Sequence, residues 1–280
     1  MRDNWRERGK EVEIRCLFND NNPVAYKGLK DAVKAVEDID IKLLCRDFEY
    51  IMDEIVDYVG QSFSFTFIDP KGWKGYDLHN IKPLLALRGE VLVNFMLNDV
   101  GRHLQDQRPE ISSTFDSTFG GPGWRREVED IMAAGQSRED AILEVFRERL
   151  RNFGSFSHVT STRVLNPLSD RSYFHLVYGT RHWKGLVEFR HVEKKAVDVQ
   201  EGVRDAAKFA GRMERTGQRE LFGPGKEQIG PRFYEAERQK QLDAGFIKLC
   251  RLLKKCLTVC YEDLLGEFLN SGVMNSGVRT

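Results

Sequence analysis

Residues 63–73 of the chain read Phe-Ser-Phe-Thr-Phe-Ile-Asp-Pro-Lys-Gly-Trp, and they decide how the sequence on either side is interpreted. Aromatic and β-branched residues fill most of Phe63–Ile68, which predicts a strand. A helix is predicted over Ile81–Leu87, followed by a strand over Val91–Met96 that is apolar on both faces. Strands with two apolar faces are typical of parallel sheets covered by helices.

The sequence before this stretch shows the same alternation of strand and helix. Apolar, β-prone runs predict strands over Val12–Phe18 and Ile39–Cys45. Apolar residues at helical spacing predict helices over Val24–Val36 and Phe48–Val59. This alternation indicates βαβ units, which build a parallel sheet with right-handed crossovers.

The sequence after the parallel strands predicts a closing hairpin. Two β-prone runs, Ser157–Leu165 and Tyr173–Tyr178, are separated by a short turn-rich segment, which predicts an antiparallel pair. Methyltransferase-type sheets end in such a hairpin. The predicted fold class is therefore α/β, with a Rossmann-like methyltransferase sheet. Before the hairpin we predict a loop over Gln105–Gly123 and helices over Arg125–Ala133 and Arg138–Asn152.

The predicted domain organisation has three parts. Residues 1–210 form the α/β domain, and residues 211–230 form a glycine-rich polar linker. Residues 231–280 form a helical region, with helix predicted over Phe233–Leu265 by its apolar spacing.

Composition and charge exclude several classes of protein. The 280 residues are 41% hydrophobic and 31% charged with no net charge, so no global field favours a membrane or DNA. No apolar run approaches the roughly 20 residues that a membrane helix needs, and the charged first residues argue against a secretory signal. The five cysteines include no Cys-x-x-Cys pair, and the histidines show no metal spacing. We predict a protein of the reducing cytoplasm without a metal site.

Acidic residues follow four of the predicted strands: Asp20, Asp47, Asp69 and, with Asn98 before it, Asp99. Open parallel sheets bind ligands at the carboxyl ends of their strands. Asp20 can accept hydrogen bonds from the two hydroxyls of a ribose, and Asp47 can accept one from the amino group of an adenine. Both are therefore candidate cofactor-binding residues. The alternative is that each acid caps the helix that follows it.

The third acid begins a short motif, Asp69-Pro70-Lys-Gly-Trp73. It resembles the Asp/Asn-Pro-Pro-aromatic motif of methyltransferases that modify exocyclic amines. There the carboxylate or amide and the next carbonyl orient the target nitrogen, and the aromatic ring stacks on the base. Asp69, Pro70 and Trp73 are therefore the candidate catalytic residues. The alternative is that Asp69 caps a helix and Trp73 packs in the core.

Three blocks of sequence carry a resemblance to a known family. They are FIDPKGWKG at 67–75, VLVNFMLN at 91–98 with Arg102 beyond it, and YFHLVYGTRHWKG at 173–185. In this order and spacing they resemble the three-Cys-motif partner proteins, bacterial and phage proteins with a methyltransferase-like fold. A weaker match, Val259–Leu265, resembles the first helix of the winged-helix domain that often ends these proteins.

The resemblance implies a cofactor and partners. The cofactor is S-adenosylmethionine, the substrate is a base of a nucleic acid, and the partner is a cysteine-rich protein. Members of the family begin with a strand and a glycine loop that nothing before Val12 matches, so we expect a chain truncated at both ends. Such a loop offers open amides to the charged end of the cofactor. We therefore expect weak cofactor binding or none, and no direct pairing between the strands at Val12 and Phe63.

Three functions from different classes follow. The first is S-adenosylmethionine-dependent modification of a nucleic-acid base. The second is a non-catalytic adaptor that binds a cysteine-rich partner protein and nucleic acid. The third is a nuclease with Asp20, Asp47 and Asp69 as metal ligands, which is weakest because no Glu-x-Lys pair follows these acids. Arg181 and His182, just after a predicted strand, are a further candidate for the ligand-binding edge.

Overall fold

The chain forms two compact units, Met1–Ser62 and Phe63–Thr280, which are described separately. In each unit, strands alternate with helices at the start, and the second unit ends in helices. The computed structural model describes residues 7, 9, 11–70, 77–97, 100, 108–169, 171–216, 232–255 and 258–270.

The first unit is a small βαβ unit. Strand β1 (Arg15–Asn19) pairs in parallel with β2 (Asp40–Leu44), and helix α1 (Pro23–Ala32) connects them. A 3-10 turn (Phe48–Tyr50) and helix α2 (Met52–Val59) follow β2. The predicted strands and helices of this region are confirmed, and their parallel pairing is confirmed with them.

The second unit contains a four-stranded mixed sheet. Its strands are β3 (Ser64–Ile68), β4 (Gly89–Phe95), β5 (His158–Leu165) and β6 (Ser172–Thr180), in the order β3-β4-β6-β5. Helix α3 (Lys82–Ala86) connects β3 to β4, which run parallel. Strand β6 runs antiparallel to both β4 and β5, so the predicted antiparallel hairpin is confirmed.

The described strands form two sheets and not one. β1 pairs with β2, β3 pairs with β4, and β1 and β3 do not pair with each other, as the sequence predicted. β3 and β4 approach closely at Gly89, where an added Cβ atom would lie 1.9 Å from the carbonyl oxygen of Ser64. This position therefore requires glycine.

The loop predicted over Gln105–Gly123 is wrong for its described part. Helix α4 (Pro109–Thr118) occupies it, with proline in its first turn, where the missing amide hydrogen costs nothing. Serines and threonines such as Ser113 and Thr114 are typical of loops. Here, however, both hydroxyls donate hydrogen bonds to the backbone carbonyl of Glu110 in the preceding turn of the helix. Serine and threonine that bond locally are tolerated within helices.

An aromatic cluster holds the helices of the second unit against β4. Helices α5 (Trp124–Ala133) and α6 (Arg138–Gly154) confirm two predicted helices. Phe95 of β4 stacks on Phe146 of α6, with ring centroids 4.1 Å apart, and Phe119 stacks on Trp124. The face of β4 that carries Phe95 therefore packs against the helices. Successive residues of a strand point to opposite faces, so the alternate residues of β4 point away from these helices.

Three helices follow β6 in the part that the structure describes: α7 (Trp183–Thr216), α8 (Arg232–Lys255) and α9 (Tyr261–Asn270). The predicted helical C-terminal region is confirmed, except that residues 258–260 are not helical and lie between α8 and α9. Its identity as the start of a winged helix stays a prediction. Leu265 and Leu269 of α9 pack on the first turn of α7. α7 extends into the first residues of the predicted linker, and residues 217–230 lie outside the described part. No helix in the described part is long and apolar enough to cross a membrane.

Candidate functional site

The candidate site lies at the carboxyl ends of β3 and β4. Asp69 directly follows β3 and is exposed, and Pro70 is half-buried. The side-chain amide of Asn94, near the end of β4, donates a hydrogen bond to Asp69 Oδ1 at 2.6 Å. Parallel strands end at the same edge of a sheet, and open α/β sheets bind ligands there. Asp69 thus lies at that edge, while its catalytic role stays a prediction.

Asn94 is the residue of this site that sequence reasoning missed. It is 6% exposed and stands between Val93 and Phe95, which are fully buried. Its Oδ1 is shielded from solvent and finds no hydrogen-bond partner among the residues that the structure describes. A buried acceptor without a partner costs about 1–3 kcal/mol. The signal in the sequence was one amide within the apolar run VLVNFML.

Two exposed phenylalanines lie on the same face of the sheet as the polar pair. Phe67 stands opposite Leu92 in the register of β3 and β4, and Asn94 is two residues further along β4 on that face. Phe65 and Phe67 are 59% and 53% exposed. Trp73, predicted to stack on the base, lies outside the described residues. The exposed ring of Phe67 nevertheless lies two residues before Asp69.

The two predicted cofactor-binding acids meet at the carboxyl ends of β1 and β2. Asp20 Oδ1 accepts a hydrogen bond from the backbone amide of Asn22 at 2.8 Å. Asp47 Oδ1 accepts one from the side-chain amide of Asn21 at 2.9 Å. Both acids therefore lie at one edge and take part in its local turns. Their role toward a cofactor stays a prediction.

The start of helix α1, beside these acids, is capped from within the chain. Asn22 Oδ1 accepts hydrogen bonds from the backbone amides of Val24 at 2.9 Å and Ala25 at 3.3 Å. A helix N-terminus binds an anion through such amides when they are open. Here the asparagine side chain already satisfies two of them, so this helix start does not offer an open anion site.

Asp69 belongs to the second unit, whereas Asp20 and Asp47 belong to the first. The structure therefore brings together Asp20 with Asp47, and Asp69 with Asn94. Within the described ranges, no three histidine, cysteine, aspartate or glutamate side chains are grouped so that they could hold a metal ion.

The suggestion that Arg181 and His182 face the ligand-binding edge is wrong. β6 runs antiparallel to β4, so its end lies beside the start of β4, at the opposite edge of the sheet. Arg181 donates hydrogen bonds to the carbonyl oxygens of Leu87 at 3.0 Å, Gly89 at 3.2 Å and Gly154 at 2.6 Å. The guanidinium group holds the turn before β4 in place.

A partly buried polar cluster joins α6 to β5 and β6. His175 is 4% exposed, and its Nε2 lies 3.0 Å from Glu139 Oε1. Ser172 donates a hydrogen bond to the same oxygen, and Arg163 Nε lies 3.7 Å from it. The hydrogen bond from His175 is the largest cause that lowers the pKa of Glu139 to about 2, aided by Ser172 and opposed by burial. These contacts give His175 a structural role between α6 and β6.

Comparison with known proteins assigns no family to the chain. No protein-family model matches it, and no curated protein matches it significantly. The resemblance to the three-Cys-motif partner proteins therefore stays a hypothesis that rests on the three quoted blocks.

Proposed function

We propose that the chain is a methyltransferase-like protein of the three-Cys-motif partner type, and that Asp69 receives the exocyclic amino group of a nucleic-acid base. The observation that carries the proposal is the hydrogen bond between Asp69 and Asn94 at the carboxyl ends of two parallel strands. The carboxylate accepts a hydrogen bond from an amino group. Pro70 restricts the backbone directly after it. Asn94 holds the carboxylate in one orientation.

Two further features support this proposal. The order β3-β4-β6-β5, in which an antiparallel hairpin closes a parallel pair, is the way methyltransferase-type sheets end. The exposed ring of Phe67 lies beside the acid, and stacking of a base on an aromatic ring contributes about 1–3 kcal/mol. A ring to stack on and a carboxylate to accept an amino group are what recognition of such a base requires.

The first unit fits part of the proposed cofactor. S-adenosylmethionine, when bound, supplies the methyl group. We propose that Asp20 accepts hydrogen bonds from the ribose hydroxyls and that Asp47 accepts one from the adenine amino group; both acids lie at the carboxyl ends of β1 and β2. Asn22 already caps the adjoining helix, so this helix start does not fit the charged methionine end. Weak cofactor binding therefore remains our expectation.

The capped helix favours a second candidate function, a non-catalytic adaptor. Such a protein keeps the methyltransferase-like sheet but binds a cysteine-rich partner protein and nucleic acid without methyl transfer.

The cysteines that the structure describes, Cys16, Cys45, Cys250 and Cys260, form no disulfide among themselves. Reduced cysteines agree with the cytoplasmic location that we propose for either function.

Replacement of Asp69 by alanine tests the proposal. We expect Asp69→Ala to abolish methyl transfer from labelled S-adenosylmethionine, supplied at millimolar concentration, to a single-stranded oligonucleotide. Because the replacement also takes away the hydrogen-bond partner of the buried Asn94 amide, we expect the free energy of unfolding to fall by about 1–3 kcal/mol, with the chain still folded. Both quantities are measured on the full chain, by transfer of label and by thermal unfolding.

Asp198→Ala, which removes an exposed acid from α7, is the matched control and should retain full transfer. If Asp69 only caps a following helix, its replacement should cost about 1 kcal/mol and leave transfer unchanged. That outcome, or a wild-type chain that transfers no methyl group, would favour the adaptor function over the enzymatic one.

A further inference from the structure

Strand β3 presents an unpaired edge and an apolar face. It pairs with β4 on one side, and no strand of the described part pairs with its other side. Phe63, Phe65 and Phe67 are 65%, 59% and 53% exposed and alternate along the strand, which places them on one face. We refer to these three residues as the phenylalanine row.

The backbone N–H and C=O groups of the phenylalanine row point toward the unpaired edge. The amide of Ser64 donates to the carbonyl of Arg88 at 2.9 Å, so the backbone groups of Ser64 face β4. The backbone groups of successive strand residues point to opposite edges, so those of Phe65 and Phe67 face away from β4. Edge strands are normally guarded by charged residues, proline or a bulge. Residues 60–68, GQSFSFTFI, contain neither a charge nor a proline.

We propose that the β3 edge of a second copy of this chain pairs with this edge, antiparallel and about a two-fold axis at Phe65. The segment Phe-Ser-Phe-Thr-Phe over 63–67 is close to a palindrome. In this register Phe65 lies opposite its own symmetry mate, Phe63 lies opposite Phe67, and Ser64 lies opposite Thr66. Aromatic pairs and Ser–Thr pairs across strands are stabilising.

A two-fold interface requires one surface to be complementary to itself, and the row meets this requirement. Phenylalanine faces phenylalanine at each position on one face, and small hydroxyl residues face each other on the opposite face. Since residues 60–68 carry no charge, no repulsion opposes the pairing of two identical segments. The resulting sheet has eight strands, four from each copy.

The surrounding charges argue against a nucleic-acid strand as the occupant of the β3 edge. Glu90 stands opposite Phe65 in the register of β3 and β4, and Asp69 follows the strand. Nucleic acids bind through cations that neutralise phosphates, and β3 itself supplies none. An uncharged strand is the better match for this edge, and because strands pair edge to edge, the face that carries Phe67 stays open.

The size of the row predicts a weak dimer. A buried aromatic residue hides roughly 150–250 Å². Edge pairing buries only the flanks of the rings, so each chain buries less than the roughly 300–400 Å² that three half-exposed phenylalanines offer. A standard interface buries about 800 Å² on each partner. We therefore expect a reversible dimer whose fraction rises with protein concentration.

Sedimentation velocity over a concentration series tests this proposal on the full chain. The wild-type protein should show a monomer–dimer equilibrium. Phe65→Lys should be monomeric throughout, because the two-fold axis places the two lysines opposite each other. Tyr173→Lys is the matched control, since it replaces an aromatic residue of β6 that is 53% exposed, and it should dimerise like the wild type. Far-UV circular dichroism checks that each variant is folded.

Cysteine cross-linking tests the register. Phe65→Cys should form a disulfide between two copies under mild oxidation, because paired Cα atoms at such a position are about 5.5 Å apart. Phe67→Cys is its control and should not cross-link to itself, since its mate lies four residues away. Peptide mapping by mass spectrometry separates the 65–65 bond from bonds of the natural cysteines.

Three outcomes would overturn the proposal. They are a wild-type chain that stays monomeric at every concentration, a dimer that persists in Phe65→Lys, and a disulfide at position 67 in place of 65. A monomeric chain whose binding of a single-stranded oligonucleotide falls with Phe65→Ala would assign the row to nucleobases instead. Formation of the dimer does not depend on methyl transfer, so this test and that of the proposed function fail separately.

Discussion

Asn94 connects the exposed acid of the candidate site to the apolar interior of the sheet. Its amide holds Asp69 at 2.6 Å, while its Oδ1 is buried without a partner in the described part. A strand interior selected only for stability would carry an apolar residue here. Sites that give up stability in this way are often functional. Asn94 is therefore best explained as a positioning residue for Asp69.

This explanation predicts opposite effects on stability and on function. Asn94→Leu removes the buried acceptor, and Asp69 stays solvated because it is exposed. We expect the free energy of unfolding in urea to be unchanged or higher by up to about 1 kcal/mol. Methyl transfer or oligonucleotide binding should fall. A loss of stability above about 1 kcal/mol would show instead that the amide is a structural part of the core.

The pKa of Glu139 makes stability depend on pH in the acid range. It falls from an ordinary value of 4.5 to about 2 in the folded chain, chiefly through the hydrogen bond from His175. A carboxylate only accepts hydrogen bonds, so His175 Nε2 carries the proton between them. The folded chain therefore binds fewer protons than the unfolded chain between these two values. This part of the stability is complete above about pH 4.5 and is lost as the pH falls toward 2.

Glu139→Gln should remove this dependence. The side chain of Glu139 is 35% exposed, so solvent screening reduces the effect to about 1 kcal/mol. We expect the variant to be less stable than the wild type at pH 6, and we expect the difference to shrink toward pH 2. Urea unfolding at several pH values measures it. A difference that stays constant over this range would contradict the assigned cause.

The sequence predicted single residues well where they follow a strand. Asp20, Asp47 and Asp69 all lie at strand ends, because a change from apolar to polar residues is local and visible. Asn94 was missed because its importance depends on a partner 25 residues away. The contact between Glu139 and His175 joins two elements that are distant in sequence, and no local pattern predicts it.

The strands and most helices were predictable because their apolar spacing is local. Helix α4 was the exception, since its serines and threonines resemble those of a loop until their hydroxyls bond to the helix backbone. The packing of α9 on α7 could not be predicted from the sequence either. Arg190, fully buried, donates to the carbonyl of Leu269 at 3.0 Å and pairs with buried Glu193 at 2.6 Å.

Replacement of Arg190 alone in the buried pair Arg190–Glu193 should greatly lower the free energy of unfolding. Arg190→Met leaves the Glu193 charge buried without its partner, which typically costs 3–5 kcal/mol, and we expect about that loss in urea unfolding. The double variant with Glu193→Leu should recover most of it. Lys195→Met, an exposed change on the same helix, should have almost no effect. A double variant no more stable than Arg190→Met would show that the unpaired charge is not the cause.

The division of the chain into two units was not predictable from local patterns. The sequence predicted one α/β domain over residues 1–210, whereas residue contacts divide the chain between Ser62 and Phe63. The alternation of strand and helix is the same on both sides of this point. The division depends on which residues contact each other along the whole chain, and local patterns do not show this. The role of residues 231–280 as a winged-helix-like domain stays a prediction.

The central claim is that the Asp69–Asn94 edge receives an exocyclic amino group. Fluorescence anisotropy with single-stranded oligonucleotides of adenine or thymine tests it most directly, because thymine lacks this group and the assay requires no cofactor. We predict that the wild-type chain binds the adenine oligonucleotide more tightly, by about a factor of ten for one hydrogen bond to a charged group. Asp69→Ala should bind both equally. A wild-type chain without this preference, or a variant that keeps it, would contradict the account.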